Sequence, residues 1–132
     1  MSIWTNEKIV EWHKRTFPNA TLETQLRKVE DELQEMKDAG MLFLDGKVEH
    51  EFALEEVADV YIAAIALVGR WDSRVGAVIC NFVIDMIGGL AQVDEIYVKV
   101  FQKTINAKMD KNAKRTWHET APGYYQHVET VQ

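Results

Sequence analysis

The sequence predicts an all-α fold, a bundle of four to five helices in a single domain. Apolar residues recur at spacings of three and four along most of the chain, which is the period of an α-helix. No stretch has convincing strand-like alternation, and the two prolines, Pro18 and Pro122, lie near predicted helix boundaries. The chain of 132 residues has 47% hydrophobic and 27% charged side chains, which fits one folded domain.

The first two predicted helices each follow a threonine, a residue type that caps helix N-termini. The first spans residues 6–16 after Thr5 and is ended by the break at Pro18. The second begins after Thr21, carries one apolar stripe, and is expected to stop at Gly40 because glycine commonly ends helices.

Three further helices are predicted after a loop over residues 41–50. The third, residues 51–70, is apolar nearly all round in its second half, as expected of a buried central helix. The fourth, residues 73–90, is apolar on much of its surface and is expected to close at its two glycines, 88 and 89. The fifth spans residues 92–117, and residues 118–132 are expected to form an irregular C-terminal tail.

The third and fourth predicted helices have more apolar surface than a single chain of 132 residues is expected to bury. Burial against further copies of the chain would cover them, so the sequence predicts a homo-oligomer, either a dimer or a tetramer.

Charge and composition exclude several classes of protein. The net charge of −6 argues against a protein that coats nucleic acid, although a few local cations can still hold a small phosphorylated ligand. Cys80 is the single cysteine, so no intrachain disulfide can form, and its apolar surroundings predict a buried, inert thiol. The N-terminus lacks a signal-peptide pattern, and the most apolar segment, residues 75–90, is shorter than the roughly 20 residues that span a bilayer. We therefore expect a cytoplasmic protein with no membrane partner.

Two acidic pairs are the most informative polar feature. Glu32 and Glu35 lie three residues apart on the second helix, as do Glu56 and Asp59 on the third, so each pair shares a helix face. Such a pair alone is usually solvated surface, but the nine residues after Asp59 carry no charge, which predicts a partly buried carboxylate that needs a cation or hydrogen bonds. An antiparallel helix hairpin would bring the four carboxylates together, and oxygen ligands without histidine or cysteine suit Mg²⁺ or Mn²⁺.

Other kinds of site fit the sequence less well. A di-iron carboxylate site requires Glu-x-x-His on two helices, and neither acidic pair supplies the histidine. The glycines at 88 and 89 are not followed by the Lys-Ser/Thr of a P-loop. On the fifth helix, Lys108, Asn112 and Arg115 share a face with Lys111 on its flank. These residues can bind phosphates or merely complement the helix dipole, and the nearby carboxylates favour phosphate binding.

At these residues the chain resembles the MazG-like family of all-α nucleoside triphosphate pyrophosphohydrolases. Asp31-Glu32-x-x-Glu35 and Glu56-x-x-Asp59 are similar to the family's Glu-Glu-x-x-Glu and Glu-x-x-Asp, with Asp31 in place of the first glutamate. The stretch from Lys108 to Arg115 resembles the Lys-x-x-x-Asn-x-x-Arg that closes many members. Trp12 and the Thr-Phe-Pro that follows it resemble members described as dATP/dGTP pyrophosphohydrolases. The likeness covers roughly residues 8 to 117.

The resemblance implies Mg²⁺-dependent hydrolysis of (deoxy)nucleoside triphosphates to the nucleoside monophosphate and pyrophosphate. Two of the glutamates are candidates to accept a proton from the attacking water, Glu35 and Glu32. The implied metal ligands are Glu32, Glu35, Glu56 and Asp59, with Asp31 in a supporting role, and the phosphate-binding candidates are Lys108, Lys111, Asn112 and Arg115. The substrate-binding candidates are Trp12, Gln25, Lys28 and Trp117, with His13 and His118 beside the two tryptophans, although tryptophans often only pack.

Two other classes of function remain open from the sequence. The chain could be a non-catalytic MazG-like helical module that senses nucleotides or binds a protein partner. It could also be a purely structural helical oligomer. Metal-dependent release of pyrophosphate would separate the enzyme from both alternatives.

Overall fold

A computed structural model of the protein describes residues 3–128, which form five helices followed by a small β-hairpin. The helices are α1 (Asn6–Thr16), α2 (Leu22–Leu44), α3 (His50–Trp71), α4 (Arg74–Val93) and α5 (Ile96–Lys114). The antiparallel strands are β1 (Thr116–Ala121) and β2 (Tyr124–Val128). The predicted helical fold with five helices is confirmed, and a two-stranded sheet is added to it.

Both predicted threonine caps are present. The Thr5 side chain accepts a hydrogen bond from the Lys8 backbone N–H, and Thr21 forms a reciprocal capping box with Thr24. The prediction that α2 stops at Gly40 is wrong, because the helix continues to Leu44. Glycine costs only about 1 kcal/mol inside a helix, and the residues that follow Gly40 continue the helical hydrogen bonding up to the cap at Asp45.

Helix α3 is the centre of the fold, as its apolar second half predicts. It packs against α1, α2, α4 and α5, and its residues from Val60 to Leu67 are all buried. Side chains from α1, α4 and α5 complete the core around it, including Ile9, Val83 and Met109. The single cysteine, Cys80, is buried as predicted, and burial raises the pKa of its thiol to about 11.

Helix α4 departs from the expectation in length and in exposure. The predicted stop at Gly88 and Gly89 is wrong, since the helix runs through both to Val93. Among the described residues, α4 is the one helix that is long and apolar enough to cross a membrane by length and composition, so the argument from a short apolar segment no longer holds. Only 22% of its most apolar window is buried, so much of its apolar surface faces outward.

The predicted irregular tail is instead a hairpin over most of its length, while residues 129–132 lie outside the described residues. Pro122 and Gly123 occupy the turn, where Gly123 has a φ of 75° that favours glycine. The Gly123 N–H donates to Glu119, and the buried Tyr124 donates its hydroxyl to Asp31 on α2. These contacts fix the hairpin against the helices. Helix α5 correspondingly ends at Lys114, not at residue 117.

Candidate functional site

One cavity of about 720 Å³ opens between α2, α3, α5, the end of α1 and the hairpin. It contains all the candidate residues from the sequence except Asp31, Lys111 and His118, which are exposed and do not line it. The lining residues fall into three groups: acidic residues on α2 and α3, cations on α2 and α5, and aromatic or uncharged polar residues. The acidic group is Glu32, Glu35, Glu56 and Asp59, and the cations are Lys28, Lys108 and Arg115.

Three carboxylates converge where α2 and α3 run side by side. One oxygen each from Glu32, Glu35 and Glu56 lies within 4.8 Å of the other two. Asp59 is not part of this triplet, and its Oδ2 pairs with the Lys108 Nζ at 3.2 Å. The helical spacing of the two acidic pairs therefore places all four carboxylates at one site, with Asp59 at the edge nearest α5.

The crowded carboxylates are electrostatically costly in the absence of a cation. Burial, followed by the Asp59 charge, raises the pKa of Glu32 to about 8 and also raises the pKa of Glu56. Burial raises the pKa of Asp59 although Lys108 opposes the shift. The Oε2 atoms of Glu32 and Glu56 are buried with no hydrogen-bond partner within the described chain. A buried carboxylate oxygen without a partner is destabilising, so the site favours a bound cation or proton.

The donor set fits a hard divalent cation. All three convergent ligands are carboxylates, no histidine or cysteine joins the triplet among the described residues, and two of the oxygens are buried and unpaired. Mg²⁺ and Mn²⁺ prefer such oxygen ligands, so Glu32, Glu35 and Glu56 fit either ion. Asp59 could join them if its ion pair with Lys108 rearranged.

A cationic wall faces the acidic group from the C-terminal half of α5. Lys108 is mostly buried and pairs with Asp59, while an Arg115 side-chain N–H donates to the Asn112 Oδ1 at 3.1 Å. Lys108 and Asn112 share one face of α5. The prediction that Arg115 lies on the same helix face is wrong, because Arg115 is the extended C-cap residue just after the helix ends at Lys114. All three residues nevertheless line the cavity. From α2, Lys28 Nζ lies 3.8 Å from Glu32. Cations and carboxylates thus meet across one space, an arrangement suited to a polyanion bound with a metal.

The end of the cavity near α1 is aromatic and holds a chain of hydrogen bonds. Gln25 Oε1 lies 3.0 Å from His13 Nε2, and the Gln25 amide donates to the Ala63 carbonyl. Arg70 lies 3.0 Å from His13 Nδ1 and also donates to the Phe17 carbonyl. Burial, then the Arg70 charge, lowers the pKa of His13 to about 3, so its ring is neutral at pH 7. The neutral ring therefore accepts from Arg70 through Nδ1 and donates to Gln25 through Nε2–H.

The two candidate tryptophans lie together in this aromatic region. The rings of Trp12 and Trp117 meet edge-on with centroids 6.1 Å apart, and Phe17 packs against both. The Trp117 indole N–H donates to the Asn112 carbonyl, which ties the start of the hairpin to the end of α5. Both tryptophans therefore pack and also line the cavity, so the two interpretations from the sequence are compatible.

Asp31 lies outside the cavity lining and accepts a hydrogen bond from Tyr124. This contact ties the hairpin to α2, and the supporting role of Asp31 in metal binding stays a prediction.

Sequence reasoning missed the contribution of the hairpin. Besides Trp117, the strands bring Thr120, Gln126, His127 and Val128 to the cavity. The Pro122-Gly123 turn between two segments that each contain aromatic residues was the available signal for this hairpin.

Comparison with known proteins adds no relative: no family model matches the chain, and neither a curated protein nor a solved structure is significantly similar to it.

Proposed function

We propose that this protein is a Mg²⁺-dependent nucleoside triphosphate pyrophosphohydrolase with a MazG-like fold, which releases nucleoside monophosphate and pyrophosphate. One observation carries the proposal: four carboxylates from α2 and α3 face Lys108 of α5 and its C-cap residue Arg115 across a single cavity. A triphosphate needs cations along its oxygens, and the carboxylates supply ligands that hold a metal beside the phosphates.

Within this proposal, Glu32, Glu35 and Glu56 hold Mg²⁺, with Asp59 as a further ligand. When bound, the metal neutralises and orients the triphosphate. Glu35 is the most exposed carboxylate of the triplet, so it is the one best placed to meet an incoming water. It accepts the proton of that water as the water oxygen bonds to phosphorus and the bond to the oxygen bridging the α- and β-phosphates breaks.

The cations of α5 act on the leaving group in this proposal. Negative charge grows on the departing pyrophosphate, and Lys108 and Arg115 lie where they can hold it. Asn112 contributes by fixing Arg115, since its Oδ1 accepts from the guanidinium at 3.1 Å. The aromatic end of the cavity, about Trp12 and Trp117, receives the nucleoside.

The alternative function is a non-catalytic module that binds nucleotides without turning them over. The same cavity would serve it, because binding needs only the cations and the aromatic end. The buried, unpartnered oxygens of Glu32 and Glu56 favour the enzyme. Their desolvation is costly for a protein that only binds an anion.

A panel of canonical and modified (deoxy)nucleoside triphosphates, incubated with and without Mg²⁺, tests the proposal. Metal-dependent production of nucleoside monophosphate is the expected result. Nucleotide binding without turnover, with or without Mg²⁺, would select the nucleotide-sensing alternative. The absence of both binding and turnover would indicate a purely structural helical oligomer.

We also propose that two copies of the chain pair through α4. The residues Val75, Val78, Phe82 and Ile84 are all more than half exposed on this helix. Two exposed charged residues, Arg74 and Asp85, lie at the two ends of the same face. A two-fold axis beside Ile79 and Cys80 on α4 would set Arg74 of one copy opposite Asp85 of the other and stack the apolar residues between them. Because Arg74 and Asp85 are complementary in charge, a second copy of the chain fits this face of α4 better than a lipid surface does.

Sedimentation equilibrium tests this pairing. We expect wild-type protein to be a dimer or a dimer of dimers, and Phe82→Glu to be a monomer. Arg74→Asp and Asp85→Arg should each weaken the pairing, and the two changes combined should restore it. A stable monomer at micromolar concentration, or wild-type protein that co-sediments with phospholipid vesicles through α4, would contradict the proposal.

A further inference from the structure

The C-terminal hairpin forms one wall of the cavity, and apart from Trp117 and His118 the sequence assigned no function to its residues. Its two strands place Thr120, Gln126, His127 and Val128 on the cavity, next to Trp117. None of these five residues is an aspartate, glutamate, lysine or arginine, whereas the opposite walls on α2, α3 and α5 are dominated by charged side chains. The cavity is therefore divided into a charged side and a side with aromatic and polar groups.

The hairpin is a fixed wall. Tyr124 is buried and donates to Asp31 on α2, and Tyr125 accepts from the Asn19 N–H at 3.2 Å. The Asn19 side chain also donates to Glu119, whose second oxygen accepts from the Gly123 N–H at 2.7 Å. A side chain at Gly123 would collide with the Asn19 carbonyl, since a Cβ there would lie 2.6 Å from that oxygen. Close packing against the loop after α1 thus holds the strands at the cavity.

Two polar side chains on this wall have unused hydrogen-bonding capacity. Within residues 3–128, the side chains of Thr120 and Gln126 are exposed and make no hydrogen bond. A glutamine amide offers a donor and an acceptor side by side, which matches the edge of a nucleobase, and a threonine hydroxyl suits a sugar or base oxygen. Phosphate groups, in contrast, suit the cations Lys28, Lys108 and Arg115 elsewhere in the cavity lining.

Resting on the proposed function, we infer that the hairpin is the nucleoside-recognition wall of the site, with Gln126 and Thr120 as specificity-determining contacts to the base and sugar. His127 packs edge-on against Trp117, with ring centroids 5.5 Å apart, and so supports the aromatic surface beside these contacts. The triphosphate points away from the hairpin, towards the carboxylates and the cations of α5.

Steady-state kinetics of Gln126→Ala and of the double variant Thr120→Ala/Gln126→Ala test this inference, with inorganic tripolyphosphate as a competitive inhibitor that has no nucleoside. The loss of one neutral hydrogen bond should raise KM for deoxynucleoside triphosphates by roughly three- to tenfold. The ranking among bases should change, while the inhibition constant of tripolyphosphate stays within twofold of wild type. Both side chains are exposed, so the variants should remain folded, which thermal melting checks.

Thr116→Ala is the matched control. Thr116 is an exposed threonine on the same strand as Thr120 but does not line the cavity, so its removal should leave KM and the base ranking unchanged. An unchanged KM in the double variant, or an equal weakening of nucleotide and tripolyphosphate, would overturn the inference while leaving the proposed hydrolysis intact. If the wild-type protein turns over no nucleotide, the proposed function fails instead. Calorimetric titration then tests the role of the hairpin by comparing dissociation constants. The double variant should bind the nucleotides more weakly than wild type does and bind tripolyphosphate equally well.

Discussion

Replacing the titratable carboxyl of Glu32 with an amide should stabilise the metal-free protein at and above neutral pH, although it removes a proposed metal ligand. The Glu32 side chain is only 13% exposed, and one of its oxygens has no hydrogen-bond partner among the described residues. Its pKa is raised from 4.5 to about 8, chiefly by burial and then by the Asp59 charge. The folded carboxyl therefore keeps its proton up to about pH 8, whereas the unfolded chain releases it near pH 4.5.

The sign of the pH dependence follows from this difference in proton binding. Between these two pKa values the folded state binds the extra proton, so the stability of the metal-free protein falls as the pH rises through that window. At pH 7 the cost is on the order of 3 kcal/mol, which corresponds to a shift in Tm of roughly 10 °C for a domain of this size. Glu32→Gln abolishes this titration and keeps the size of the side chain.

Thermal melts in a chelating buffer measure the effect. Glu32→Gln should melt well above wild type at pH 8, and the difference should shrink towards zero at pH 5. Added Mg²⁺ should stabilise wild type and have little effect on the variant, because ligand binding to the folded state raises its stability. Glu30→Gln, an exposed position on α2 outside the cavity, is the control and should match wild type at both pH values. A Glu32→Gln protein that melts at or below wild type at pH 8 would refute the reasoning.

Three further predictions follow from the site. Glu56→Gln and Asp59→Asn should each abolish turnover while circular dichroism shows an intact fold, and near wild-type rates with Mg²⁺ in either variant would exclude the metal site. Arg115→Ala should lower kcat/KM by on the order of 10²-fold for every base, since a charge-assisted contact in a partly dry site contributes roughly 2–4 kcal/mol. Unchanged kinetics with a stability loss below about 1 kcal/mol would instead leave Arg115 as a helix-end cation. His13 is neutral in the folded protein, where its pKa is lowered to about 3, whereas the unfolded chain takes up a proton at this residue below pH 6.5. The folded protein should therefore lose stability as the pH falls below 6.5. In His13→Gln, the Tm should therefore fall less between pH 6 and pH 4 than in wild type. An unchanged dependence of Tm on pH would contradict this account.

Helix boundaries were predictable where local chemistry decides them. The first helix begins and ends where Thr5 and the Phe17-Pro18 break indicated, because a cap and a proline act within one turn. The glycines of α2 and α4 were misleading stops, since one glycine weakens a helix by only about 1 kcal/mol and the neighbouring residues continue it.

The acidic site was predictable for a related reason, whereas the hairpin was not. The spacing of Glu32 and Glu35 on α2, and of Glu56 and Asp59 on α3, fixes the helix face that each pair shares. One contact between the two helices therefore suffices to bring the pairs together. The hairpin depends on distant contacts, above all Tyr124 with Asp31, and the Thr116–Ala121 strand lacks clear apolar alternation. Its register and its place on the cavity follow from packing that the sequence alone does not contain.

The sequence predicted that both apolar helices, α3 and α4, are buried against a second copy of the chain. The structure supports this need for only one of them. Helix α3 is covered within one copy by α1, α2, α4 and α5. Helix α4 keeps an apolar face exposed, with Val78 at 68%. The argument for self-association therefore depends on α4 alone.

Product analysis of a single deoxynucleoside triphosphate tests the central claim most directly. Wild-type protein with Mg²⁺ is incubated with the nucleotide, and the products are identified by phosphorus NMR, with Glu56→Gln as the matched control. The account predicts nucleoside monophosphate and pyrophosphate in equal amounts, dependent on Mg²⁺ and absent in the variant. Release of orthophosphate with nucleoside diphosphate, or equal turnover by Glu56→Gln, would contradict it.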